Sequence, residues 1–227
     1  MIDPSVLARV GLFAELSADE LAVLWVRLRR RMFAKDQIIF AEGDPGTSLY
    51  LVETGRVKIS LASPEGKELV LNILGPGDFF GELALLDGEP RSADAVAQEP
   101  SQLLLLGRED FVSFVESSPM VAMGLLTAVG RWLRRSTQVA RDGALLDVPS
   151  RLARVLLDLA EPRGEPVDEK SMVVAPRLTQ SELAAMIGAT RESVNKSLGY
   201  FERQGIIRRD GRMIRILRPE ALRGRIV

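Results

Sequence analysis

The sequence contains no cysteine and no histidine. The first absence excludes a disulfide framework, a thiol redox sensor and any cysteine-ligated zinc, haem or iron–sulfur site. The second removes histidine-ligated haem and a Ser-His-Asp triad. No apolar run approaches the roughly 18 residues that span a bilayer. The start, MIDPSVLARVGLF, has neither the basic segment nor the long apolar core of a signal peptide. A cytoplasmic protein with no membrane partner, and no metal, haem or iron–sulfur cluster, is therefore expected. No P-loop, kinase set or metal cluster supports an enzyme.

What is present is 227 residues with 46% hydrophobic and 27% charged, ordinary for a soluble globular protein of one large or two modest domains. Net charge is only −1, but its distribution is uneven. Residues 1–147 hold 15 Lys and Arg against 21 Asp and Glu, whereas residues 148–227 hold 15 against 10. A basic C-terminal third beside an acidic remainder suggests that one segment meets a polyanion.

Three regions follow along the chain. From about Met32 to Leu106, short apolar runs (IIF, LYLV, VKISL, LVLNIL, LLLL) alternate with turn signals (EGDPG, ETGR, SPEGK, GPGD, DGEP). That spacing predicts an all-β roll or sandwich. A helical lead-in, LSADELAVLWVRLRR, precedes it, with Ser17 and Glu20 forming a capping box. From about Arg108 the turn signals thin out. Leu126, Val129, Leu133, Ser136 and Ala140 recur at three- and four-residue spacing, a narrow seam of coiled-coil type. Either a second copy of the chain or the β domain covers it, and the common two-fold homodimer is the expectation. At DVPSRLARVLLDLA a new helix starts, with Asp147 as cap and Pro149 near its first position. The stretch EPRGEPVDEKS reads as a loop.

Thr179 to Ile207 reads TQSELAAMIGATRESVNKSLGYFERQGII. Thr179 and Glu182 make a second capping box for a short helix. Gly188-Ala189-Thr190 is a tight turn, with Thr190 placed to cap the next helix. Two short helices joined through glycine make a helix-turn-helix. Val194, Leu198 and Phe201 form a buried stripe in the second helix. Arg191, Glu192, Asn195 and Lys196 crowd the opposite side of its N-terminal half, the part that enters a major groove. Asp210-Gly211 then marks a hairpin decorated by Arg208, Arg209, Arg212 and Arg215, a basic wing. Thr179, Ser181, Thr190, Arg191, Glu192, Asn195, Lys196 and Arg212 are the candidate DNA contacts.

Phe79 to Ala93 reads FFGELALLDGEPRSA. Gly81 opens a turn of helix whose amides suit an anion. Arg91 suits bidentate phosphate recognition and Ser92 adds a donor. Glu82 fits beside them if the ligand also offers a hydroxyl, such as a ribose 2′-OH. A plain Glu82–Arg91 ion pair accounts for these residues equally well.

This segment, with its FGE…RSA pattern and the upstream glycines of AEGDPG, ETGRVKI and GPGDFFGE, resembles the phosphate-binding cassette of cyclic-nucleotide-binding domains. RESVNKSL resembles the recognition helix of the cAMP receptor protein (CRP/FNR) family, and the likeness covers nearly the whole chain in the same order. It implies an α+β fold: a cyclic-nucleotide-binding β-roll over residues 1–115, a dimerisation helix and hinge over 116–147, and a winged helix-turn-helix over 148–227. It implies that Gly81 and Glu82 meet the ribose and nearby phosphate, and that Arg91 and Ser92 grip the cyclic phosphate. Ser136 and Thr137 fall where the family's Thr-Ser pair meets adenine from two subunits, in inverted order. A ligand-gated, homodimeric transcription regulator follows, with cAMP as effector, a near-palindromic duplex similar to TGTGA in each half-site, and RNA polymerase as a further partner. Lys196 departs from the arginine of the cAMP receptor protein. A relative that binds DNA constitutively, or answers another small ligand, is the alternative.

Overall fold

The computed structural model describes residues 5–160, 178–211 and 213–226. They fall into two compact units, one of residues up to Ala62 with Leu71–Arg134, the other of Ser63–Val70 with the chain from Arg135 onward. The loop stretch EPRGEPVDEKS and the wing residue Arg212 lie outside the described residues.

The first unit opens with two short helices, α1 (Ser5–Ala8) and α2 (Ala18–Trp25). The expected capping box holds α2: Ser17 Oγ accepts from the Glu20 amide while the Glu20 carboxylate accepts from the Ser17 amide at 2.8 Å. The basic run after it is not a continuation of that helix. It forms β1 (Arg29–Phe33), followed by β2 (Ile38–Phe40), β3 (Ser48–Thr54), β4 (Val57–Ala62), β5 (Glu68–Leu74) and β6 (Phe79–Phe80). A four-residue helix, α3 (Leu83–Leu86), precedes β7 (Asp94–Ala97) and β8 (Ser101–Gly107). Residues of β1 pair antiparallel with β8, and only Phe33 of the strand is buried. Arg30 is held by Glu53 and Arg27 by Asp110. Strand pairing with a distant partner has overridden the local helical pattern, as tertiary context commonly does.

Two four-stranded sheets result, in the orders β1-β8-β3-β6 and β2-β7-β4-β5. The LYLV run of β3 is buried on both faces, and its alternation explains why. Leu49 and Leu51 join the helices on one side, with Leu104, Leu106, Phe13 and Phe111. Tyr50 and Val52 join the opposite cluster, with Phe33, Phe80, Val57 and Leu103. One sheet is thus covered on both sides, and its strands read as continuous apolar runs.

After β8 come α4 (Arg108–Ser117) and the 27-residue α5 (Pro119–Leu145), which meet at a bend of 108°. Proline at the first position of α5 and the β-region Ser118 before it account for the break. Val121, Leu125 and Ala128 bury one side of α5, and Trp132 reaches the same cluster. The proposed seam is split by this packing. Leu126 and Leu133 are 63% and 67% exposed, but Val129 packs inward on its own β domain. Three- and four-residue spacing alone does not tell a flank from a face. Among the described residues no single helix is long and apolar enough to cross a membrane.

The second unit contains α6 (Val148–Ala160), α7 (Gln180–Ile187), α8 (Arg191–Arg203), β9 (Ile207–Asp210), β10 (Met213–Ile216) and α9 (Pro219–Arg223). Asp147 caps α6 as expected, accepting from the Ser150 amide at 2.9 Å. Asp142 of α5 pairs with Arg154 of α6 at 2.6 Å and accepts from Gln138. Leu152, Leu156, Val194, Leu198, Phe201, Ile207 and Ile214 are buried.

Gly55 illustrates a turn that the fold cannot give to another residue. It joins β3 to β4 at φ +89, and a Cβ there would lie 2.3 Å from the Ser101 Oγ. That hydroxyl is itself buried and donates to the Glu99 carbonyl at 2.8 Å. Gly55→Ala should therefore cost about 2 kcal/mol or more. Urea unfolding checks this; a loss within about 0.5 kcal/mol, as for ordinary surface changes, would contradict the packing described.

Candidate ligand pocket and nucleic-acid interface

In the first unit the loop after β2 clamps the segment before β7 that carries Arg91. The Gly43 amide donates to the Arg91 carbonyl at 2.9 Å, and the Arg91 amide to the Asp44 carbonyl at 2.8 Å. The side chain, 4% exposed, turns inward. Its Nη1 donates to the Gly81 carbonyl at 2.6 Å and its Nη2 to the Ser48 carbonyl at 2.8 Å. Arg91 Nε is buried and has no partner among the described residues. Burial lowers the basicity of the guanidinium, opposed by the nearby Tyr50, Glu82 and Asp44, but an arginine stays charged.

Gly81 has φ +82, and a Cβ on it would lie 2.5 Å from Arg91 Nη1, so glycine is what lets the arginine reach that carbonyl. Glu82, the next residue, is 4% exposed. Its carboxyl takes the amides of Glu82 itself and Leu83, so the first amides of α3 are occupied by the chain's own acid. Burial pushes this carboxyl up to about 7, against those hydrogen bonds and the charge of Arg91. Ser92 is exposed beside the buried Arg91. The geometry brings Gly81, Glu82 and Arg91 together. Arg91 donates to two main-chain carbonyls, so a simple Glu82–Arg91 pair does not describe it.

Ser136 and Thr137 lie on α5, both exposed. An α-helix turns about 100° per residue, so they face different directions. Ser136 follows Trp132 by one turn, and Trp132 packs edge-on against Phe79, centroids 5.4 Å apart. Thr137 follows Leu133 by one turn and continues the exposed apolar side.

In the second unit α7 begins with the expected box: Thr179 Oγ1 accepts from the Glu182 amide at 3.1 Å and the Glu182 carboxylate accepts from the Thr179 amide at 2.6 Å. The Thr179 hydroxyl is therefore already engaged, while Ser181 is exposed. Gly188 ends α7 in the left-handed region, φ 60, and Thr190 caps α8 by accepting from the Ser193 amide at 3.2 Å. Arg191, Glu192, Asn195 and Lys196 are exposed on the side opposite Val194, Leu198 and Phe201.

Asn195 is also tied down. Its Oδ1 accepts from Gln180 of α7 at 3.2 Å and from Arg209 of the wing at 3.3 Å. Arg209 in turn grips Glu202 at 2.6 Å. Gln180 and Arg209 thus brace the recognition surface, and both line an open cleft of about 370 Å³ with Thr179, Ser181 and Arg191. No sequence signal marked Gln180. In the wing, Asp210 pairs with Met213 as the last paired residue of β9, so it belongs to the strand and not to the turn that the Asp210-Gly211 step suggested. Arg208 stands directly opposite Arg215, both exposed. Like charges facing across two strands destabilise a hairpin, and a polyanion relieves that repulsion.

The Glu82 acid makes the ligand-free protein sensitive to pH. Its folded pKa of about 7 lies above the ordinary 4.5, so the folded chain holds this proton more tightly than the unfolded chain. That contribution is fully present below about pH 4.5 and is lost as pH rises through about 7. Glu82→Gln removes the effect. Its unfolding free energy relative to wild type, read from urea titrations, should rise steadily between about pH 5 and pH 8, by up to about 3 kcal/mol. A difference that stays constant with pH would contradict this burial of the acid.

Two family models match the chain. Residues 30–118 match the family model of the cyclic nucleotide-binding domain, and residues 150–225 that of the Crp-like helix-turn-helix domain. A CRP-like cAMP-activated global transcriptional regulator of Mycobacterium tuberculosis is 36% identical over 217 residues, 96% of each chain. The cyclic AMP receptor protein of Thermus thermophilus is 34% identical over 197 residues, 87% of this chain and 88% of that one. Among solved structures, a CooA mutant from Carboxydothermus hydrogenoformans has a TM-score of 0.77 at 26% identity, covering 89% of each chain. With two matching domain models in this order and relatives aligned over almost its full length, the chain belongs to the CRP/FNR family of transcriptional regulators.

Proposed function

We propose that this chain is a homodimeric DNA-binding regulator whose operator affinity is raised by a cyclic nucleotide, with cAMP as the effector. The observation that carries the reading is the buried Arg91 beside the buried Glu82: a charged donor next to an acid that accepts a hydroxyl, the two functions a cyclic ribose phosphate needs. The cAMP-activated names of the relatives support the choice of nucleotide. Gly81, Glu82, Arg91 and Ser92 take the ribose phosphate. Ser136 of one subunit and the partner's Thr137 take the base, since the two residues face different sides of α5. The exposed Leu126 and Leu133 form the dimer seam. Residues 1–115 act as the sensor, 116–147 as the dimer helix and hinge, and 148–227 as the DNA reader. The regulator works in the cytoplasm, with RNA polymerase as its further partner and no catalysis of its own.

Calorimetry tests the ligand. Arg91→Ala should weaken cAMP binding at least about tenfold, the loss of a charge-assisted contact. In the wild type, operator DNA and cAMP should tighten one another by the same factor, typically about 1–3 kcal/mol. Equal operator affinity with and without saturating cAMP would favour constitutive DNA binding instead.

Selection from random DNA tests the reader. A near-palindrome is expected, with half-sites about 34–36 Å apart or a multiple of that on one face of the duplex. Arg191 contacts guanine and Glu192 accepts from a cytosine amino group. Glu192→Ala should relax one base pair by about 1–3 kcal/mol with little change in salt dependence. An unchanged preferred site in that variant would remove Glu192 from base reading.

A further inference from the structure

Arg91 is held by more than its two carbonyls. Its guanidinium carbon lies 4.3 Å from the centroid of the Phe40 ring and 5.6 Å from that of Tyr50. Phe40, Tyr50 and Phe80 form a closed trio, with centroids 5.6 Å, 5.8 Å and 5.1 Å apart, and Tyr50 and Phe80 are stacked. Phe80 precedes Gly81 and Tyr50 follows Ser48 by two residues, so the trio also steadies the strands that supply both accepting carbonyls. Phe40 arrives there through an irregularity. Ile38 pairs with Val96 and Phe40 with Ala95, a bulge in the β2–β7 ladder, and bulges re-aim side chains.

The consequence concerns the donor that is left over. Two edges of the guanidinium are fixed by carbonyls and its face by rings, while Nε–H is buried without a partner. A buried unsatisfied donor is costly, and its persistence points to an acceptor that arrives from outside. We propose that Phe40 is a positioning residue for the anionic part of the ligand: its ring holds the Arg91 guanidinium in the one orientation that leaves Nε–H for a phosphate oxygen. The inference rests on Arg91 as the phosphate contact. It assigns to Phe40, which need not touch the ligand, a share of the affinity.

The test is a double-mutant cycle on the full-length protein, read by calorimetric titration with cAMP. Phe40→Met keeps apolar character and adapts its flexible chain to the space but has no ring face, and Phe40→Leu is a second ring-less variant should the first not fold. Either should weaken cAMP about 3- to 30-fold, the range of a desolvated cation–π contact. Phe40→Tyr, which keeps the face, should stay within about twofold. In an Arg91→Lys background, where no planar fork remains to be oriented, loss of the ring should cost less than about twofold. Wild-type affinity in a ring-less variant would overturn the proposal, as would an equal loss in both backgrounds, the mark of a purely structural residue. Failure of the cyclic-nucleotide reading itself shows earlier and differently, as a wild-type protein that takes up neither cAMP nor cGMP.

Discussion

The sensor unit is organised around one buried positive charge. A guanidinium with almost no water contact persists only if the protein supplies acceptors, and here they come from distant stretches: the carbonyl of Ser48 on β3 and that of Gly81 after β6. The loop at residues 41–46 closes on the main chain of the same arginine through the Gly43 and Asp44 contacts. Two segments far apart in sequence therefore meet at one side chain. The absence of a side chain at Gly81 belongs to the same requirement, since any Cβ there would collide with Nη1.

The helix-turn-helix was legible in the sequence almost residue by residue, because its rules are local. A capping threonine with glutamate three positions on, a left-handed glycine and a second capping threonine act over a few residues, and the structure shows each of them. The β-roll was legible as a class, through its turns, but not in its register. Arg29 and Arg30 read as the tail of a helix until β8 offers them partners. Val129 reads as part of a dimer seam until the β domain supplies a nearer apolar surface. The ring trio around Arg91 left no signal at all, because Phe40, Tyr50 and Phe80 become neighbours only through sheet pairing and a bulge.

Charge is distributed by the same logic on the other unit. The recognition helix presents Arg191, Glu192, Asn195 and Lys196 outward, but it does not stand alone. Asn195 shares its oxygen with Gln180 and Arg209, and Arg209 is fixed by Glu202, so one hydrogen-bonded chain links α7, α8 and the wing. A surface braced in this way keeps its donors at set spacings before DNA arrives, which lowers the ordering cost of binding. The opposed Arg208 and Arg215 show the complementary case, a local repulsion retained where a polyanion would relieve it.

The tryptophan on the long helix gives the protein an intrinsic optical reporter. The chain has two tryptophans, and Trp132 touches Phe79, two residues before Gly81 and three before Glu82. Its indole sits where β6 meets α5, one helical turn before Ser136. Any sliding or rotation of that helix against the β6 strand changes the surroundings of this ring, and with them its emission. Motion of α5 against the β strands is therefore visible in unlabelled protein.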